Sequence, residues 1–300
     1  MTDFDNDYFD IREIYKAIKQ EKILFFSCLS AFAIFSIIFA LSIPNTYQSK
    51  AVLIPAEDEN QNTNLNQYRG LSSLAGITMP VEGVTKAMEG MERFRSFDFF
   101  NRLIDTKLKR EDIIATDGWD PKTDTTKYLG DLFDVETGKW VRKVRFPKTQ
   151  IPSNQEAFER FEDMFNVFVD EESGFIHISV EHHSPNIAKE WLESIIVSLN
   201  ELMREEDKIK AQKSLEYLSY QIANTNLSEI KQGLGLLIQR QIEILTLIES
   251  NEEYIFKIID SPFAPEKKIA PSRAIICIFI TFLGGIISFV ITYWRYRKSA

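Results

Sequence analysis

Residues 23–43, ILFFSCLSAFAIFSIIFALSI, and residues 274–294, AIICIFITFLGGIISFVITYW, each run for 21 positions without a charged side chain. As helices rising 1.5 Å per residue, each would be about 31 Å long, the hydrocarbon thickness of a bilayer. Neither run contains proline, and a core helix of a soluble domain rarely needs 21 residues that are apolar on every side. Both runs therefore read as transmembrane helices. All 35 basic and 44 acidic residues lie outside them, so the mean composition of 44% hydrophobic and 26% charged residues hides a soluble acidic domain set between two hydrocarbon segments. That composition excludes a disordered chain, a collagen and a disulfide-stapled miniprotein. The net charge of −9 argues against a nucleic-acid partner, which calls for a basic face.

The 22 residues before the first span carry Asp3, Asp5, Asp7, Asp10, Glu13 and Glu21, and its exit, Leu41-Ser42-Ile43-Pro44-Asn45, offers no A-x-A site. The run is thus read as an uncleaved anchor and not a signal peptide. Arg12, Lys16, Lys19 and Lys22 precede the first span and Arg295, Arg297 and Lys298 follow the second, against Lys50, Lys267, Lys268 and Arg273 on the intervening side. This bias places both termini in the cytoplasm. The plan is a cytoplasmic tail (1–22), a first span (23–43), one external domain (44–273), a second span (274–294) and a cytoplasmic stub (295–300), with neither cytoplasmic piece large enough for a catalytic domain. Cys28 and Cys277, the only cysteines, sit at opposite depths of their spans, on the order of 20 Å apart along the bilayer normal, too far for a disulfide.

Within the external domain, Tyr47–Ile54 reads as a strand ended by Pro55, and residues 57–70 as a polar loop. Leu71–Ile77 is small and apolar and suits the membrane surface. Thr85–Ile104 reads as one helix with Met88, Met91, Phe94, Phe97 and Leu103 on a common side. Residues 115–153 read as irregular, with one strand near Trp140–Phe146, followed by a helix over Gln155–Phe165. Residues 166–170 and 175–181 form a hairpin whose Ile176, Ile178 and Val180 share an apolar face. Ser184 and Pro185 suit the N-cap and N1 positions of a long helix over about 185–224. Its seam of Ala188, Leu192, Ile195, Leu199 and Leu202 has heptad spacing, is interrupted by the charged zone Arg204–Lys210 and resumes at Leu215. Such a helix either projects from the base or lines a subunit contact. A return helix spans 227–248, weakened by Gly233 and Gly235, and Tyr254–Ile259 is a strand able to pair with 47–54. The fold class is α+β: two transmembrane helices flanking a base of mixed α and β structure, with a long protruding helix pair.

Residues 260–273 hold Pro262, Pro265 and Pro271, which stiffen the approach to the second span, and Arg273, which sits at headgroup level. In the spans, Thr281 with Gly285, Gly284 with Ser288, and Ser36 with Ala40 are small residues four apart. That spacing marks a helix-packing stripe, facing the other span, a neighbour or a partner protein.

This order of features resembles the Wzz family, the chain-length determinants of bacterial surface polysaccharides (class 1 polysaccharide co-polymerases). The resemblance is carried by three pieces. The first is the lead-in from Asp10-Ile11 through the span to Ile43-Pro44-Asn45-Thr46-Tyr47 and on to Leu53-Ile54-Pro55-Ala56. The second is Gly70-Leu71-Ser72-Ser73-Leu74-Ala75-Gly76-Ile77, and the third Glu253–Asp260 with the prolines, Arg273 and the glycine-bearing span. It implies a multi-pass protein of a Gram-negative inner membrane with its main domain periplasmic. It also implies a homo-oligomeric ring that works with the polymerase, and with the growing glycan as a further contact, to set modal length without catalysis. Lipopolysaccharide O-antigen is the expected polymer. Residues 105–150 have no support from it.

No constellation of residues points to catalysis, a cofactor or a metal. His182 and His183 are adjacent and face opposite ways on a strand. Glu171-Glu172, Glu205-Glu206-Asp207 and Glu252-Glu253 read as solvated surface and not as a glycosidase pair. Gly138-Lys139 lacks the rest of a phosphate-binding loop. Trp119 and Trp140 suit packing, with sugar stacking as the functional alternative. A two-span sensor or signalling scaffold remains the competing class, although six residues after Trp294 leave it no output domain.

Overall fold

The computed structural model describes residues 21–56 and 86–299. The first part of the tail, the small apolar segment 71–77 and Thr85 lie outside the described residues. The chain divides into two units, Met1–Thr46 with Lys268–Ala300, and Tyr47–Lys267.

In the first unit, α1 (Lys22–Ser42) and α8 (Arg273–Ser299) pack against each other as an antiparallel pair. Glu21 at one end of the pair faces Arg295 at 3.6 Å, and Ala40 at the other faces Arg273. Both helices are long and apolar enough to cross a membrane, over Lys22–Ser42 and Arg273–Arg295, and only 11% of each apolar window is buried. Exposure of that kind separates them from the core helix of a soluble protein, whose apolar surface would be covered. Cys28 and Cys277 are free thiols.

The second unit is built on a four-stranded antiparallel sheet of order β6-β7-β1-β8. β1 (Tyr47–Pro55) lies between β7 (Ile176–His182) and β8 (Phe256–Asp260), with β6 (Phe165–Val169) at the edge beside β7. The pairing of 47–54 with the strand that precedes the proline-rich segment is thus observed, with a bulge between Val52 and Leu53. Ile176, Ile178 and Val180 are buried, as the alternation predicts. The core joins this sheet face to α5 (Asn154–Met164) and the first half of α6 (Pro185–Asn224) through phenylalanines, among them Phe94 stacked on Phe256 at 5.4 Å and Phe100 against Phe161 at 5.1 Å.

Four expectations are corrected. The helix over 85–104 is two, α2 (Lys86–Phe94) and α3 (Phe97–Leu103), because the Ser96 hydroxyl accepts the Phe99 N–H and caps a new helix. The break turns Met88 and Phe97 outward and buries Phe99 and Phe100 instead. Residues 115–153 are irregular only over 141–153. They hold a short helix α4 (Arg110–Ile114) before them and two hairpins, β2 (Thr116–Asp120) with β3 (Thr125–Tyr128) and β4 (Phe133–Asp134) with β5 (Lys139–Trp140). The strand expected through Phe146 ends at Trp140. The seam residues Leu192, Ile195 and Leu199 are fully buried in the chain's own core, with Leu202 half-buried against it. A 4-3 apolar spacing specifies a stripe but not what covers it, and here the cover is the chain's own sheet. Finally, Glu206 and Asp207 are not freely solvated: Glu206 pairs with Arg93 at 2.8 Å and Asp207 with Lys86 at 2.6 Å.

The predicted cap at Ser184, with Pro185 at the first helical position, is present: Ser184 Oγ accepts the Ile187 N–H. Beyond Met203, Ala211 is the only buried residue of α6, and the helix continues against α7 (Ser228–Ser250), which runs without a break through Gly233 and Gly235. Asn200 fixes β8 to α6. Its Oδ1 accepts the N–H groups of Ile255 and Phe256 at 2.8 and 3.0 Å, and its Nδ2 donates to the Phe256 carbonyl at 3.0 Å.

Candidate functional site

Of the residues singled out for membrane packing, Ser36, Ala40, Gly284 and Ser288 are buried in the α1–α8 pair, while Thr281 and Gly285 are half-buried. Ser36 and Ala40 are the two buried residues of α1. In α8, Gly284 and Ser288 are buried, and Thr292, which the four-residue spacing extends to but which was not singled out, is buried too. Ser288 Oγ donates to the Gly284 carbonyl and Thr292 Oγ1 to the Ser288 carbonyl, both at 2.7 Å, so these hydroxyls satisfy themselves within the helix. The two glycines differ sharply. A Cβ on Gly284 would stand 2.4 Å from Cβ and 2.5 Å from Cγ of Phe32, whereas one on Gly285 would meet only Leu29 Cδ1 at 3.8 Å. Gly284 is thus the tighter of the two glycines, and Phe32 its partner. Thr281 lies 3.5 Å from Ser36, oxygen to oxygen, and shares with Gly285 an open groove of about 740 Å³ along the pair.

At the end of the pair where α8 begins, Arg273 ties the two helices together. Its Nε donates to the Ala40 carbonyl at 3.1 Å, satisfying the last turn of α1 where the helix dipole favours a cation. Its Nη2 and Lys268 Nζ both donate to Asn45 Oδ1, at 3.0 and 3.1 Å. Thr46 pairs with Ala270 as a β-bridge, its N–H donating to the Ala270 carbonyl at 2.9 Å. The segment before Pro271 is therefore zipped to the exit of α1. Pro262 is buried and Pro265 half-buried in the other unit, where Ser49 Oγ donates to the Phe263 carbonyl at 2.9 Å. Asn45 and Thr46 carried no periodic signal. Their role depends on partners more than 220 residues away.

The polar groups of the sheet unit are engaged structurally. His182 is buried. Its Nδ1 accepts the Ser184 N–H at 2.9 Å, so the proton is on Nε2, which donates to the Asp112 carbonyl at 3.1 Å. Burial pushes this imidazole down to about 4, and it is neutral at pH 7. Burial likewise raises the Asp112 carboxyl, whose Oδ1 accepts the Tyr128 hydroxyl. His177 stacks on Phe168 at 5.2 Å. Trp119 packs edge-on against Tyr47 at 5.6 Å and donates to Asp124, and Trp140 packs against Phe133 at 5.3 Å. Among the described residues no group of three or more His, Cys, Asp or Glu side chains could hold a metal ion.

Among solved structures the chain is similar to one titled full-length bacterial polysaccharide co-polymerase, at 13% identity and a TM-score of 0.43, over 97% of this chain and 98% of that one. It is also similar to a fragment of WzzB, polysaccharide co-polymerase from Salmonella Typhimurium, at 11% identity and a TM-score of 0.31, over 75% and 100%. No curated protein sequence matches it. Residues 7–106, a third of the chain that takes in α1, β1, α2 and α3, match the Wzz family, described as chain length determinant protein, and the resemblance carried by the lead-in through Tyr47 to Ala56 holds there.

Proposed function

We propose that the protein is a non-catalytic regulator that sets the modal chain length of a surface polysaccharide, lipopolysaccharide O-antigen foremost, made by the flippase/polymerase-dependent pathway. It acts as a homo-oligomeric scaffold beside the polymerase, in the inner membrane, with both termini cytoplasmic and the sheet unit periplasmic. The observation that carries this reading is the family match over residues 7–106, which falls on the first span and the strand it feeds. Two facts support it: two apolar helices bracket a single sheet-based unit, and buried polar groups of that unit such as His182, Asn200 and Asp112 are engaged by partners within it. A strain lacking the gene should lose its modal cluster of polysaccharide bands on a gel and regain it on complementation. An unchanged band pattern, accompanied by altered envelope gene expression, would favour the two-span sensor instead. A periplasm-active reporter fused after Ala300 should stay silent; a strong signal would overturn the topology.

A further inference from the structure

In a chain of net charge −9, residues 139–148, KWVRKVRFPK, hold five basic residues and no acidic one. This segment is a loop braced from within. Arg142 is buried, and its Nε and Nη2 donate to the carbonyls of Gln150 and Thr149 at 2.8 and 2.7 Å, closing the loop on itself. The same guanidinium grips Glu156 with both terminal nitrogens, at 3.1 and 2.8 Å, and that contact holds the Glu156 carboxyl down at about 2. Glu156 also closes a capping box with Ser153, so the loop is tied to the first turn of α5.

What the brace presents is a turn, Arg145–Lys148, closed by the Lys148 N–H on the Arg145 carbonyl at 3.0 Å. At its tip Phe146 is 97% exposed, the most exposed large apolar side chain among the described residues. Lys139, Lys143 and Arg145 around it are exposed and form no ion pair among the described residues. A bare aromatic ring on a braced turn, with exposed cations one and three residues before it in sequence, suits an interface that is apolar within and anionic at its surface. It suits a carbohydrate less well, since sugar hydroxyls are commonly held by carboxylate and amide side chains that both donate and accept, and residues 139–148 contain no Asp, Glu, Asn or Gln.

Connectivity brings such a surface within reach. Tyr47 follows Ser42, the last residue of α1, by five residues, at most about 18 Å of extended chain. Tyr47 pairs with His182, His182 bonds Asp112, Asp112 bonds Tyr128, and the Tyr128, Phe133 and Trp140 rings touch in series at 5.6 and 5.3 Å. The base of the loop is thereby tied to the end of the sheet at which the chain arrives from α1.

We propose that the Arg145–Lys148 turn is a membrane-docking site that seats Phe146 among the anionic headgroups of a lipid surface, with Lys143 and Arg145 supplying the attraction. The site is independent of the chain-length reading, and its failure would leave that reading intact. The test places p-benzoylphenylalanine at position 146 of the full-length chain, reconstituted in nanodiscs of phosphatidylcholine alone or with a third of phosphatidylglycerol. Photolysis is followed by mass spectrometry of the adducts. Phospholipid adducts should form in the anionic discs and be several-fold scarcer in the neutral ones. Each cation near an anionic surface changes partition about fivefold, so K143Q/R145Q should lower docking about 25-fold. Neither residue touches the Arg142 brace, and the thermal midpoint of the double variant should equal its parent's. Adducts to protein or to added polysaccharide, absence of lipid adducts, or lipid adducts at equal yield in both discs would each overturn the proposal. The disc comparison decides even if the double variant were poorly folded.

Discussion

Gly284→Ala is the sharpest perturbation of the paired spans. The new methyl would lie 2.4 Å from Phe32 Cβ and 2.5 Å from its Cγ, where carbon atoms ordinarily rest about 3.5–4.0 Å apart. The clash is with the root of a side chain and not its flexible end, so rotation of Phe32 cannot relieve it. The helices must separate by about 1 Å or one of them must turn, and overpacking of that size costs about 1–3 kcal/mol. Gly285→Ala, one position on and about 100° round the helix, meets its nearest atom at an ordinary 3.8 Å and should be close to neutral. The assay uses the full chain with Cys28 and Cys277 replaced by alanine and cysteines placed at Ser36 and Thr281, whose oxygens are 3.5 Å apart. We expect G284A to slow disulfide formation about tenfold, G285A to leave it unchanged, and F32G, which removes the Cβ that the new methyl meets, to restore most of the rate in the G284A background. Polysaccharide gels of the same strains would report whether length control follows the pairing. If G284A and G285A cross-linked at the parental rate, Gly284 would not be the contact and the reasoning would fail.

Asn200→Leu should destabilise the sheet unit by at least about 2 kcal/mol, because three backbone groups of Ile255 and Phe256 lose their buried partner; thermal unfolding of the full chain in detergent would show it. Arg273→Gln should loosen the exit of α1 by removing the charged donor to the Ala40 carbonyl, read as faster backbone hydrogen exchange over residues 38–46, with membrane insertion unchanged. Acidification should act first through His182. Its folded value of about 4 lies below the unfolded 6.5, so the unfolded chain binds the extra proton. Stability is then full above about pH 6.5 and falls as pH drops towards 4, by about 2 kcal/mol at pH 5. The raised carboxyl of Asp112 opposes this, in a lower window that opens from the ordinary carboxylate value. His182→Asn should flatten the slope between pH 7 and 5 while lowering stability overall, and an unaltered slope would exclude the imidazole as its source.

The elements that were legible in the sequence announce themselves by period. Two unbroken apolar runs, an alternating Ile176-Ile178-Val180 and a Ser184-Pro185 start are local signals with a direct physical reading. What was not legible depends on partners distant in sequence. Ser96 within an amphipathic run is compatible either with a solvated helical position or with a cap, and only the burial of Phe99 and Phe100 selects the cap. β2 to β5 are short and polar, and their hairpins are consolidated by the Tyr128–Phe133–Trp140 rings and by Asp112. The Arg142–Glu156 clamp joins a loop residue to a helix residue, so the periodicity of no single element signals it. In the apolar helices residue size alone does not separate Gly284 from Gly285, which are identical letters. Their difference is a rotation of one helix against the other, set by Phe32.

The charged zone in α6 shows why a heptad reading is right about the pattern and wrong about its partner. The apolar stripe from Ala188 to Met203 is covered by the chain's own sheet, and it stops where that cover stops. From Glu206 onward the helix has no core to enter, and polar contacts take over: Glu206 with Arg93 of α2, Asp207 with Lys86 and the Tyr254 hydroxyl, and Lys208 with Glu249 of α7. Exposed pairs of this kind contribute little stability singly. Their value here is positional. Two helices, α2 and α7, grip three successive residues of one helical turn, with the Tyr254 hydroxyl added at Asp207, which fixes the rotation with which the remaining length of α6 meets α7. The interruption of the seam is therefore the junction at which a helix anchored in a core becomes one half of a helix pair. The apolar residues beyond it, Tyr217 and Tyr220 on α6 with Leu236 and Leu237 on α7, remain exposed because the pair supplies only one of the surfaces that their sequence pattern could cover.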